Sequence, residues 1–176
     1  MKRLQLLLLW VWMVCFSAAS HNYMFKHLEV KDGLSNNQVN AIYKDSNGFM
    51  WFGTASGLNR YDGYNIKIYR SQKDDEKSLP DSYVEDIQED TSGNLWIRTG
   101  SGYAIYNSAS DVFDRNVEAW MWNVVLTGNP SLIYIDKEKT FWIYINGKGV
   151  YSYREGQKNA VAVKEADELL AKAVRL

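Results

Sequence analysis

Few residues in this chain have both the type and the spacing to do chemistry. The two histidines, His21 and His27, lie near the start, and no cysteine, histidine or carboxylate cluster surrounds them at metal-ligand spacing. No zinc site is expected. Gly100-Ser101-Gly102 reads as a hairpin turn rather than a serine nucleophile motif, and the chain has no glycine-rich phosphate loop. Asp74 and Asp75 are paired carboxylates, but they sit in the charged stretch Gln72 to Lys77, which reads as a solvated loop. Asp45 and Asp90 occupy turn sequences, where one carboxylate per turn is too few for the oxygen cage of a calcium ion. Trp120 and Trp122 could stack on the apolar face of a sugar ring, although an aromatic pair of this kind is more often local core. The residues therefore give no catalytic, cofactor-binding or metal-binding set, and they do not single out ligand contacts.

The elements that would position any site begin after a segment of different composition. Lys2 and Arg3 precede an apolar run from Leu4 to Phe16, broken only by Gln5, and small residues follow from Ser17 to Ser20. That layout predicts a signal peptide over residues 1–20, because the run is shorter than the roughly 20 apolar residues a membrane-spanning helix needs. Cys15, the single cysteine, falls inside it, so a mature chain starting near His21 would have no disulfide. Bulky Met13 and Val14 precede Cys15 where a lipid-attachment site would want small residues. With 20 basic and 21 acidic residues, no basic face argues for nucleic acid. Aromatic residues make up 14% of the chain, which points to repeated packing layers or a binding surface.

A repeat supplies those layers. Val39, Ile42, Asp45, Gly48, Trp51, Thr54, Gly57 and Tyr61 recur at a constant offset of 45 as Val84, Ile87, Asp90, Gly93, Trp96, Thr99, Gly102 and Tyr106. A worn third copy carries Ile133, Asp136 and Trp142 at a further 46, then Gly149 and Tyr153 at a further 47, placing one inserted residue in the turn Asn146-Gly147-Lys148. It has Lys139 where the others have glycine and Pro130 where they have valine.

Each copy divides into four short β-like runs. These are 39–44, 49–54, 57–61 and 65–69; then 83–89, 95–99, 103–106 and 111–114; then 132–136, 141–145, 150–153 and 160–163. A lone strand is predicted ahead of them over residues 23–30. The second run reads Met50-Trp51-Phe52, Leu95-Trp96-Ile97 and Phe141-Trp142-Ile143. Neighbouring residues of a strand point to opposite faces, so three consecutive apolar residues predict burial on both sides. Blades stacked around an axis bury both sides. The predicted fold is an all-β partial propeller of three four-stranded antiparallel blades, at about 35–70, 80–115 and 130–163, within a domain over 21–163. Residues 164–176 have the spacing of a short amphipathic helix, or are a truncation end. Three blades cannot close a ring, so self-association through the open blade faces is expected.

With Asp32-Gly33-Leu34-Ser35-Asn36-Asn37 followed by Val39, Ile42, Asp45, Gly48, Trp51, Gly53, Thr54, Gly57, Leu58 and Tyr61-Asp62, the first copy resembles the two-component regulator propeller repeat. The second copy departs in having Arg98 where the first has Gly53. The resemblance implies the exported, periplasmic sensor region of a hybrid two-component histidine kinase whose parent is anchored in the inner membrane, with a carbohydrate ligand in the full-length parent. It implies a scaffold role for the repeat positions, no cofactor, and no enzymatic activity in a chain without kinase and receiver domains. Two other functions compete: a fragment of a propeller enzyme, of lyase or quinone-dependent dehydrogenase type, and a structural protein-interaction module. A pocket gathering Arg98, a carboxylate and a histidine would favour the enzyme.

Overall fold

A computed structural model describes residues 25–164. The predicted signal peptide, and the predicted helix beyond Lys164, lie outside the described residues. Twelve strands form three four-stranded antiparallel sheets in which each strand pairs with its neighbours in sequence. Blade 1 consists of β1 (Val39–Lys44), β2 (Met50–Thr54), β3 (Gly57–Tyr61) and β4 (Ile66–Tyr69). Blade 2 consists of β5 (Val84–Glu89), β6 (Leu95–Thr99), β7 (Gly102–Asn107) and β8 (Val112–Asp114). Blade 3 consists of β9 (Leu132–Ile135), β10 (Phe141–Ile145), β11 (Gly149–Tyr153) and β12 (Val161–Ala162). A seven-residue helix, α1 (Val117–Asn123), interrupts the connection between blades 2 and 3. Together these are a partial β-propeller.

Over its described part, from residue 25, the predicted leading strand is not formed. Residues 25–29 carry no strand, and Val30–Asp32 make a 3-10 turn. A strand needs a partner ladder, whereas here local groups satisfy the backbone. The Glu29 amide donates to Asp32 Oδ2 and the Val30 amide to Asn37 Oδ1, and Gly33 ends the turn in the left-handed region at φ 110°.

The core lies between blades rather than inside any one of them. One cluster joins Trp51 and Leu58 of blade 1 to Ile87, Leu95, Ile97, Tyr106 and Phe113 of blade 2. A second joins Trp96 of blade 2 and Met121 of α1 to Ile133, Phe141 and Ile143 of blade 3. Trp51 packs against Tyr106 with ring centroids 5.0 Å apart, and Trp96 packs against Phe141 at 5.2 Å. Trp120 enters the second cluster from α1, 4.7 Å from Trp96, so it is core as weighed from the sequence. Trp122 on the same helix is 67% exposed.

Burial on both sides, predicted for every Trp strand, holds only in the middle blade. Leu95, Trp96 and Ile97 are all buried, whereas Met50 and Phe52 flank buried Trp51 half-buried. Trp142 faces outward and is 37% exposed. The correction follows from the stacking. Each Trp points toward the blade that follows it, and no blade follows blade 3 among the described residues. Tyr106 and Tyr61 diverge for the mirror reason: Tyr106 is buried against blade 1, while Tyr61 is half-exposed on the opposite flank and donates to the Gly63 carbonyl.

Local order comes from one arrangement made three times. The indole Nε1–H of Trp51, Trp96 and Trp142 donates to Oδ2 of Asp45, Asp90 and Asp136, at 2.7, 3.1 and 2.8 Å. In each case Oδ1 of the same aspartate accepts a turn amide, from Phe49, Asn94 or Thr140. These carboxylates are committed to turns and indoles. The turns also need a left-handed residue, which is Gly48 at φ 91° and Gly93 at φ 78°. Gly57 and Gly102, at φ 146° and 124°, open the third strands.

Gly53 is needed for a different reason, since a Cβ there would lie 2.6 Å from Val84 Cγ1. Blades 1 and 2 touch there with no room for a side chain.

Two outcomes are expected from urea denaturation. Asp45→Ala strands two buried donors and should cost about 2–4 kcal/mol, while Asp136→Ala, whose indole can reach water, should cost less than about 1 kcal/mol. Gly53→Ala should cost about 1–3 kcal/mol, and a second substitution, Val84→Ala, should recover part of it.

Candidate functional site

Three gatherings of polar side chains lie at the seams between blades. Two of these hold blades together. At the outer edge of blades 1 and 2, Asp111 Oδ1 accepts from the hydroxyls of Tyr69 and Tyr106, each at 2.7 Å, and Lys67 pairs with Oδ2. Partial burial pushes the Asp111 carboxyl up, but Lys67 and the two hydroxyls outweigh it and hold the group at about 2. Burial, followed by the hydrogen bonds with Tyr106 and Asp111, pushes the Tyr69 hydroxyl far above the ordinary phenol range.

At the opposite edge Glu89, 6% exposed, is held by groups from both neighbouring blades, the Tyr43 hydroxyl of blade 1 donating to its Oε2 at 3.4 Å. The Ser46 amide and hydroxyl donate to its Oε1 at 2.9 and 2.7 Å, from the turn of blade 1. Lys139, from the turn of blade 3, reaches its Oε2 at 3.4 Å and its carbonyl at 2.8 Å. Burial pushes the Glu89 carboxyl up, yet the Ser46 donors and the Lys139 ammonium bring it below its usual value. This node accounts for the third copy's lysine. Lys139 keeps the left-handed turn conformation of its glycine counterparts, at φ 60°, and the anchorage of its ammonium offsets a backbone cost of roughly 1–2 kcal/mol.

The third place is where the repeat fails. Gly53 and Val84 touch across the first seam, and their counterparts in the second seam are Arg98 and Pro130. Arg98 pairs with Glu85 at 2.7 Å, and both lie within electrostatic reach of Tyr103 together with Asp86. Burial raises the Tyr103 hydroxyl, which accepts from the Ile133 amide at 2.8 Å. His27 is exposed in the segment ahead of blade 1 and is not one of the groups around Arg98. Among the described residues, Arg98 therefore gathers carboxylates but no histidine, and His21 lies outside them.

Beside this seam, at the end carrying the connections between blades, a groove of about 950 Å³ runs along blade 2. Its walls include Tyr103, Asp114, Arg115, Glu118, Asn129 and Pro130, with Glu76 and Lys77 on the preceding connection. Arg115 is spent on that connection: its guanidinium donates to the carbonyls of Asp75, Ser78 and Leu79 and to the Ser78 hydroxyl. Glu76, Asp114 and Glu118 are exposed carboxylates, and Lys77 is an exposed cation. Trp122 stands four residues beyond Glu118, and on a helix that spacing places two side chains on one face. The groove offers acceptors for hydroxyl groups, with a small excess of negative charge, and the exposed Trp122 ring lies outside its lining. Asp74 and Asp75 remain in the loop read as solvated, where the Asp75 carboxylate accepts the Lys77 amide. The sequence did not single out Asp114, Glu118 or Asn129. The paired departures Arg98 and Pro130 were the signal that could have located this seam.

The sequence profile of the two-component regulator propeller matches residues 33–56 and 78–101. Two stretches of the chain are thus similar to two-component regulator propeller repeats. Both run from the approach to each blade through its clamped tryptophan strand. Over 66 residues the chain is 39% identical to histidine kinase P4 of Formosa agariphila, a stretch that is 38% of this chain and 5% of that protein. The extracellular domain of a hybrid two component system from B. thetaiotaomicron superposes with a TM-score of 0.58 at 23% identity, over 80% of this chain and 20% of that one. The repeats thus span a small part of the length of the relatives they match. Among the described residues no helix is long and apolar enough to cross a membrane, and no group of three or more His, Cys, Asp or Glu could hold a metal ion.

The two anchored carboxylates fix the sign of the acid response. Both are depressed in the folded state, so their contribution is complete above the unfolded carboxylate value of about 4 and is lost as pH falls through the folded values. Stability to urea should therefore fall between about pH 4 and pH 2. Glu89→Gln should flatten that fall while lowering stability at pH 7.

Proposed function

We propose that this propeller segment belongs to the extracytoplasmic sensor region of a two-component regulator, and that it contributes ligand recognition rather than catalysis. The observation that carries the reading is the match of both clamp-bearing stretches to the two-component regulator propeller repeat. The identity to a histidine kinase over 66 residues supports it. In this reading the apolar segment ahead of the blades directs export to the periplasm, and a parent protein anchored in the inner membrane carries the kinase.

The ligand class that fits the groove is a glycan fragment. Exposed Glu76, Asp114 and Glu118 can accept from sugar hydroxyls, Asn129 can both donate and accept, and a ligand reaching past Glu118 would meet the exposed Trp122 ring, one helical turn outside the groove's lining. Three carboxylates against Lys77 and a committed Arg115 favour a neutral oligosaccharide over a uronic or sulfated one.

Thermal unfolding in the presence of a panel of neutral and acidic oligosaccharides tests both parts. A member of the neutral set should raise the melting temperature by mass action, and Trp122→Ala and Glu118→Ala should each weaken that ligand on the order of tenfold while leaving the unliganded melt unchanged. A panel without effect, a shift confined to acidic sugars, or a shift that both substitutions leave intact would contradict the proposal.

A further inference from the structure

Trp120 of α1 fills much of the outer seam between blades 2 and 3, and beside it a pocket of about 150 Å³ stays open. None of the residues lining it also lines the groove. Four aromatic rings form its wall: Trp96 from β6, Trp120 from α1, Phe141 from β10 and Tyr153 from β11. Neighbouring rings meet near right angles. Trp96 and Trp120 stand at 75° with centroids 4.7 Å apart, Trp96 and Phe141 at 72° and 5.2 Å, and Trp120 and Tyr153 at 88° and 5.7 Å. Rings so placed present faces in several directions, as the walls of a box do, whereas a parallel stack hides its faces in one another.

The rest of the lining is acidic. It includes Asp90 and Glu155, with no lysine or arginine among the described residues that line it. Ser92, in the turn after β5, donates to Glu155 Oε1 at 2.9 Å and ties blade 2 to blade 3. Asp90 is occupied by the Trp96 indole and by two turn amides, so it contributes charge rather than a free acceptor. Ser92 and Glu155 are exposed, so the pocket opens to solvent, while Trp96 and Phe141 are each only 2% exposed.

These features select among guests. A dry packing defect would have an apolar rim. A metal ion needs a cluster of oxygen donors, and among the described residues no group of three or more His, Cys, Asp or Glu could supply one. An anion is repelled by both carboxylates. A neutral sugar ring would bury hydroxyls against aromatic carbon, where they lack partners. A bare ammonium loses more hydration than ring faces return. An alkylated ammonium carries the charge that carboxylates and ring faces attract, and its alkyl groups gain from being covered by the rings. Its size also fits, because a cavity of roughly 150 Å³ holds benzene.

We propose that this pocket binds a small organic cation through an alkylated ammonium group, at a site separate from the groove assigned to sugars. Choline, followed by NMR at the indole Nε1–H signals of the full chain, tests the site. Its uncharged isostere, with carbon in place of nitrogen, is the control. Choline should shift the Trp96 and Trp120 signals and leave Trp51 in place, and the isostere should bind on the order of tenfold more weakly. Glu155→Gln removes a charge at an exposed position and keeps an acceptor for Ser92; it should weaken choline about threefold and leave the isostere unaffected. Trp120→Leu keeps apolar bulk without a ring face and should weaken choline on the order of tenfold. Phosphocholine should bind more weakly than choline, because Glu155 repels the added phosphate, and this separates a free cation from a phospholipid head group. An absence of shifts at Trp96 and Trp120, an isostere that binds as tightly as choline, unchanged choline affinity in Glu155→Gln, or tighter binding of phosphocholine would each overturn the proposal.

Discussion

In each module one aspartate carboxylate joins a turn to an indole. One oxygen takes an amide in the turn after the first strand, and the other takes the Nε1–H of the tryptophan on the second strand. A tryptophan carries one polar atom, and burying it unbonded would cost roughly 1–3 kcal/mol. The aspartate removes that cost and also fixes which way the ring points. The rings of Trp51 and Trp96 then point to the following blade, which offers its back to them, and Trp142 takes the same side of its own sheet. The direction of stacking, the location of the core between sheets and the inequality of the two end blades all follow from that orientation.

Stacking in one direction leaves each interface to be closed at its edges by local means. Between blades 1 and 2 a glycine lets the backbones touch near Val84, and Asp111 gathers two tyrosines and a lysine at the outer edge. Between blades 2 and 3 the glycine and valine are replaced by Arg98 and Pro130, and α1 supplies Trp120 to fill the outer part. The second seam is a looser version of the first, and the groove opens beside it. Glu89 limits how loose it becomes, because its carboxylate is held by a serine from one blade and a lysine from the other. The recognition surface proposed here thus lies where the repeat departs from itself, next to a node that keeps the blades in register.

Much of the fold was legible because the repeat is exact over eight positions and the turn chemistry recurs with it. The strand runs, the turn glycines and the burial of Trp51 and Trp96 follow from period-two alternation and left-handed turn positions. The leading strand was not legible, because whether residues 25–29 extend a sheet depends on a partner ladder and not on their own composition. Trp142 was misjudged for a related reason: its module has the same pattern as the others, but burial is a property of the neighbour. The groove was nearly invisible in sequence. Beside a few positions of β7 and β8, its side chains come from two connections and a helix between blades, segments in which no periodicity ties residue type to position. Asp111 and Glu89 likewise look like ordinary surface carboxylates until β4 of blade 1 is brought beside the first and the turns of both adjacent blades beside the second.

Hydrogen exchange at the three indole Nε1 positions, followed by NMR at concentrations where the chain is monomeric, probes the orientation of the rings most directly. The account predicts slow exchange at Trp51 and Trp96, which are 1% and 2% exposed, and fast exchange at Trp142, which is 37% exposed. Exchange at Trp51 and Trp96 as fast as at a free indole, or protection of Trp142 equal to theirs, would contradict a core built between blades by rings that all face the next module.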